Sequence, residues 1–119
     1  MTDKATQVQY LEIVTPNVNE TCAALTKLQG VSFKGPEPML GNAHVAVLSG
    51  GGQIGVRAPM RDDEDPVVRP YLLVDDIQAA CAAAEEAGAE FAMPATEIPG
   101  HGTFAIYFLG GIQYGLWQI

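Results

Sequence analysis

The stretch Val68–Gly88, VRPYLLVDDIQAACAAAEEAG, decides the fold, because the rest of the chain repeats it or completes it. It reads as a short strand, a carboxylate turn and a helix closed by glycine. Val68, Leu72 and Val74 lie among strand formers. Asp75 and Asp76 are good N-cap residues, since a carboxylate accepts the orphan backbone N–H groups of a first turn. Ile77–Ala87 is rich in Ala and Glu, both strong helix formers, and Gly88 supplies the stop. At an offset of 59 residues, Asn17 falls on Asp76, Val18 on Ile77, Cys22 on Cys81, Leu25 on Ala84 and Leu28 on Ala87. Those positions trace one helical face, apolar in both copies. An extended run precedes each helix, at Val8–Val14 and Val67–Val74, and glycine-bounded strands follow it. The last of them carries GGQIGV (Gly51–Val56) in one half and GGIQYGLW (Gly110–Trp117) in the other. The chain is therefore read as α+β, two copies of strand–helix–strand–strand–strand. A repeat of about 60 residues is too long for a solenoid unit and suits two halves of one domain.

The 119 residues predict a single domain, 1–119, with a first module at about 7–58 and a second at about 67–119. The polar, proline-bounded run 59–66 is the connector. No apolar run reaches the length of a membrane span, and MTDKATQ lacks the basic-then-apolar order of a signal peptide, so the expected location is the cytoplasm. A net charge of −8 argues against nucleic acid and anionic membrane as partners, since both require a positive field. Much of that charge sits in Arg61–Asp65 (RDDED) and around Glu85 and Glu86, where it reads as a solubility device. Cys22 and Cys81, at equivalent places on separate helices, read as reduced, buried core residues without zinc spacing.

In chain order, residues 1–6 are expected to fray. Asn17 caps the first helix and Gly30 ends it. Val31–Phe33 is a short strand, and Gly35, Pro36 and Pro38 make Lys34–Gly41 irregular. Ala43–Ser49 and Gln53–Ala58 form a hairpin through Gly50–Gly52. In the second half Pro94 weakens Phe91–Ile98, Pro99–Gly102 is a loop, and Thr103–Leu109 and Ile112–Gln118 close the chain. Period-two alternation puts Leu11, Ile13, Ile54, Val56, Leu72, Val74, Tyr114 and Leu116 beneath the helices. The opposite set holds Tyr10, Glu12, Gln53, Arg57, Arg69, Tyr71, Gln113 and Trp117, and is either solvated or the lining of a cleft. Gly55 and Gly115 favour the cleft, because glycine inside a strand marks a close approach of ligand or backbone.

Three stretches, YLEIVTPNVNETCAAL (Tyr10–Leu25), VDDIQAACAAAEEAGAEF (Val74–Phe91) and GGIQYGLWQI (Gly110–Ile119), resemble the vicinal oxygen chelate superfamily. That superfamily includes glyoxalase I, extradiol dioxygenases, fosfomycin-resistance proteins and bleomycin-binding proteins. The resemblance covers about residues 7–119. It implies tandem βαβββ modules whose curved mixed sheet surrounds a cleft, helices on the convex face, and often a homodimer. Metal-dependent relatives place four ligands, usually His and Glu, on four strands. Counted from the helix caps and glycine turns, those places fall at Tyr10, Gly55, Arg69 and Gly115. Glycine has no donor and arginine does not deprotonate, so no metal or other cofactor is expected. His44 and His101 are the only imidazoles, and with Glu12 and Glu97 they are the candidates for a relocated site.

Other chemistries lack their motifs. GGGQIG is followed by no helix, so it is no phosphate loop, and neither cysteine has an activating neighbour. The sharpest electrostatic idea is a Glu12–Arg69 pair, either a structural ion pair or a group that orients a polar ligand. The functional expectation is a metal-free protein that binds a small organic molecule through Tyr10, Glu12, Gln53, Arg57, Arg69, Tyr71, Gln113, Trp117 and His101. The alternatives are a metal-dependent lyase, isomerase or dioxygenase with relocated ligands, and an interaction module with a vestigial pocket. Whether the chain is an enzyme stays open at this point.

Overall fold

The computed structural model describes residues 6–119, so the fraying expected of residues 1–5 lies outside the described residues. The elements are β1 (Val8–Val14), α1 (Val18–Gln29), β2 (Phe33–Glu37), a 3-10 turn (Pro38–Leu40), β3 (Ala43–Val47), β4 (Gln53–Arg57), β5 (Val67–Leu73), α2 (Ile77–Glu86), β6 (Glu90–Ile98), β7 (Gly102–Leu109) and β8 (Ile112–Gln118). The fold is α+β, strand–helix–strand–strand–strand twice over. The 59-residue offset carries the first residues of β1, α1 and β4 onto those of β5, α2 and β8.

The chain forms two compact units, Tyr10–Arg69 and Pro70–Ile119 with residues 6–9. In the first unit the strand order is β2-β3-β4-β1, with β1 and β4 parallel and Glu12 opposite Gly55. The second has the order β5-β8-β7-β6, with β5 and β8 parallel and Tyr71 opposite Gly115. The other pairs are antiparallel hairpin neighbours. A parallel pair needs a long crossover, and the helix with its two following strands supplies one in each half.

The two helices are anchored differently. Asp76 accepts the N–H groups of Gln78 and Ala79 at 3.1 Å, and the Gln118 side chain accepts that of Ile77 at 2.8 Å. Ile77 then packs with Ala105 and Leu116, joined by Val74, Cys81, Phe91 and Tyr107. Asn17 holds the N-cap position of α1, but against expectation its side chain makes no cap bond. Its backbone N–H donates to Thr15 Oγ1 at 3.1 Å instead. Gly30 ends α1 in the left-handed region, as the glycine rule requires.

The apolar face of α1 is shallower than its sequence indicates. It contains no buried residue, Cys22 and Leu25 are half-buried, and Leu28 is 75% exposed. The reason lies in the strands beneath. α1 rests chiefly on β4, because β2 offers Lys34, Gly35 and Pro36 where β6 offers Phe91 and Ala95. Leu25→Ala is therefore expected to cost about 1 kcal/mol, not the ~2–5 kcal/mol of a core truncation. Urea unfolding of the variant measures this directly.

Both cysteines are free and half-buried, which corrects the expectation of full burial. Burial raises each thiol pKa, and Glu85 adds to the rise at Cys81, so both should react slowly with thiol reagents in the native chain. Strand β2 begins two residues later than expected and runs through the irregular stretch. Its register shift between Lys34 and Glu37 absorbs Gly35, where an added Cβ would meet Ala43 O at 2.8 Å. Strand β6 runs through Pro94 with register shifts of its own, as an end strand of its unit can.

Candidate functional site

The polar face is the more deeply buried one. Tyr10, Glu12, Arg57, Arg69, Tyr71 and Trp117 are all below a tenth exposed, and Gln53 and Gln113 are half-buried. The reading of this face as solvated is overturned.

In the first unit, the ring of Tyr10 lies across Gly55. A Cβ built at Gly55 would stand 1.6 Å from the Tyr10 hydroxyl oxygen. The second unit repeats the device, with the ring of Tyr71 over Gly115 and an added Cβ 2.2 Å from its Cδ2. Each strand glycine does mark a close approach. What approaches is a tyrosine from the neighbouring strand, not the expected ligand or backbone.

Around Tyr10 runs a chain of charges. Glu12 Oε1 accepts from Arg69 Nη1, and Glu12 Oε2 accepts from Arg57 Nε at 2.8 Å. The far edge of Arg57 forks onto Glu64, Nη1 to Oε1 at 3.0 Å and Nη2 to Oε2 at 2.7 Å. Arg57 Nη1 also donates to the carbonyl of Ala58 at 3.2 Å, and Glu64 Oε1 accepts the N–H of Met60 at 2.7 Å. Among the described residues two guanidiniums meet two carboxylates, and pairing of this kind is the condition for burying charges. The Glu12–Arg69 pair expected from sequence is present. Arg57 joins it, so Glu12 keeps a guanidinium partner in Arg69→Ala.

The electrostatics follow from these contacts. The Arg57 fork, more than enough to outweigh burial, holds the Glu64 carboxyl at about 2, with help from the Met60 N–H. Burial alone would lower the Arg57 pKa, but hydrogen bonds to Glu64 and Glu12 carry it above its ordinary value. Burial and then the Glu12 charge raise the Tyr10 phenol, against a smaller opposing effect of Arg57. Because the folded Glu64 pKa lies below its ordinary 4.5, its contribution to stability is complete above about pH 4.5 and is lost as pH falls toward 2. Glu64→Gln should therefore melt lower than the parent at pH 7, and the gap should close as the pH falls through that window. A gap that does not change with pH would contradict the assignment.

Glu64 was missed in the sequence because it sits in RDDED, read there as a solvated run. The sequence signal was the buried-parity Arg57 seven residues before it, a cation that a nearby carboxylate can meet.

The second unit holds an aromatic cluster of its own. Trp117 meets Tyr71 edge-on, with centroids 5.5 Å apart and planes at 89°. Phe104, also absent from the sequence expectation, stands 6.2 Å from Tyr71 and 6.3 Å from Trp117. Trp117 Nε1–H donates to the backbone carbonyl of His101 at 2.9 Å, so the expected site residue His101 meets this cluster through its main chain. Trp117 is not under a helix; its neighbour Leu116 packs with Ile77 of α2.

The four positions of the family metal site do not fit a divalent ion. Gly55 and Gly115 bring no donor and lie under tyrosine rings, and Arg69 is a cation engaged by Glu12. Among the described residues no three His, Cys, Asp or Glu side chains gather closely enough to hold a metal, so His44, His101, Glu12 and Glu97 do not form the relocated set. Beside the charge chain, a groove of about 430 Å³ opens between Pro16 and the connector, with Met60 and Glu64 in its wall. Among the described residues, no helix is long and apolar enough to cross a membrane.

No family model matches this chain, and no curated protein does. Solved structures do match. A hypothetical protein from Bacillus halodurans superposes with a TM-score of 0.74 at 13% identity, over 98% of this chain and 96% of its own. Methylmalonyl-CoA epimerase from Mycobacterium tuberculosis gives 0.69 at 15%, over 92% and 85%. The Streptomyces coelicolor methylmalonyl-CoA epimerase in complex with 2-nitronate-propionyl-CoA gives 0.69 at 13%, over 97% and 98%. The epimerase is a vicinal oxygen chelate superfamily member, and the shared feature at these identities is the fold.

Proposed function

We propose that this chain binds a small organic molecule on a vicinal oxygen chelate fold without using a metal. The observation that carries this reading is the pair of tyrosine rings over Gly55 and Gly115, two of the four places where metal-dependent relatives keep ligands. The first unit supplies fixed polar groups, Glu12, Arg57 and Arg69, with Gln53 beside Tyr10 in register. The second supplies aromatic area in Tyr71, Phe104 and Trp117, with Gln113 on the same strand as Trp117. Each unit by itself holds side chains of the kind that line small-molecule sites. The complex of the Streptomyces epimerase with an acyl-CoA analogue supports the same general use of the fold. A homodimer in the cytoplasm is part of the proposal, since many proteins of this superfamily are dimeric.

Denaturing the purified chain and identifying released compounds by mass spectrometry tests the reading. A bound organic compound, or a change in Trp117 emission on titration with small organic acids and amines, is the expected result. The burial of the same face favours a second reading, an interaction module with a vestigial pocket. No released compound and an unmoved emission would decide for that second reading.

A further inference from the structure

We propose that Arg57 is a receptor for the carboxylate of a small organic monoacid, and that Glu64 holds that place until the acid displaces it. This rests on the small-molecule reading above and names its chemical class. Glu12 holds the Nε edge of Arg57, so the guanidinium keeps its orientation whether or not Glu64 is present. The outer edge presents Nη1 and Nη2 as a fork, the geometry that matches two carboxylate oxygens. Glu64 is carried by a segment between Pro59 and Pro66 in which Arg61, Asp62 and Asp63 are exposed. Two of its hydrogen bonds stay within that segment, the Glu64 N–H to Arg61 O and the Met60 N–H to Glu64 Oε1. The turn can therefore swing out intact when the Arg57 fork is released.

Charge fixes the class of ligand. With Glu64 gone, the Nη1 and Nη2 edge of Arg57 loses its carboxylate, and an anion with two oxygens in the same fork geometry fits the place. The groove of about 430 Å³ at Glu64 offers room, within the size range of small-ligand sites. Its prolines and Met60 suit a short alkyl tail, and of its other charges Arg61 is paired with Asp63, whereas Asp62 and Asp65 repel a second negative charge. A monocarboxylate fits these conditions better than a dianion.

Acetate, propionate and butyrate, titrated at constant ionic strength against chloride, test the proposal. In Glu64→Ala these acids are expected to raise the melting temperature where chloride does not. Each added methylene should strengthen binding by up to about fourfold, from the ~0.8 kcal/mol of a buried CH2. In the wild-type chain the acid should quicken tryptic cleavage after the exposed Arg61 several-fold, because the segment is freed. Should Glu64→Ala fail to fold, Glu64→Gln keeps an oxygen for Met60 and is expected to bind the acids more tightly than wild type. Acids that act no differently from chloride on the variant that folds would overturn the receptor. Rescue without faster cleavage after Arg61 would overturn the displacement. A neutral compound released from wild-type protein, with no response to the acids, would defeat this inference while leaving the small-molecule reading standing.

Discussion

Glu12→Ala is expected to be the most damaging single substitution in the first unit, costing about 3–5 kcal/mol. Glu12 is buried and each of its oxygens serves a different buried guanidinium. Its removal leaves Arg57 with Glu64 and takes from Arg69 the carboxylate that meets its Nη1. The loss comes from breaking a buried charge network, because charges are costly to hold away from water. That origin can be checked by a double variant. Glu12→Gln combined with Arg69→Met removes both charges, so it should be less destabilised than Glu12→Gln alone when both are measured by urea unfolding at pH 7. A double variant at least as unstable as the single one would show that the charge balance is not what matters there.

Gly115→Val is the second large effect. Any Cβ at this position begins 2.2 Å from the Tyr71 ring, and two methyl groups beyond it have nowhere to go. Tyr71 is itself wedged against Trp117 and Phe104, so its ring cannot retreat without moving both. Overpacking of this kind costs about 1–3 kcal/mol, and a ring with two aromatic neighbours belongs at the upper end. The same substitution at Gly50, where an added Cβ meets nothing within 4 Å, is the control and should cost much less. Trp117 fluorescence offers a second readout, since displacement of Tyr71 changes its surroundings. Equal melting temperatures for the two variants would contradict the packing described here.

The architecture was legible because it rests on backbone punctuation and on repetition. Asp76 and Gly88 bracket one helix, Gly30 ends the other, and the offset between them carries strand onto strand. The site was legible only in part. Alternation placed Tyr10, Glu12, Arg57, Arg69, Tyr71 and Trp117 on the polar side of their strands, but period two says nothing of what covers a face. Burial of that side depends on rings and guanidiniums reaching across strands. Glu64 was hidden because its partner is seven residues earlier, across a proline-bounded turn whose path no periodicity encodes. Phe104 was hidden in a strand apolar on both sides. The depth of α1 was misjudged for a related reason: a helix shows its own apolar stripe, not whether the sheet beneath has side chains to meet it.

The metal content of the purified chain tests the central claim most directly. The protein, dialysed without chelator after growth in metal-replete medium, is analysed for zinc, iron, nickel and manganese. Tyrosine rings over two glycines and an arginine held by a glutamate predict far less than one transition metal ion per chain. About one bound ion per chain, retained through dialysis, would contradict that account.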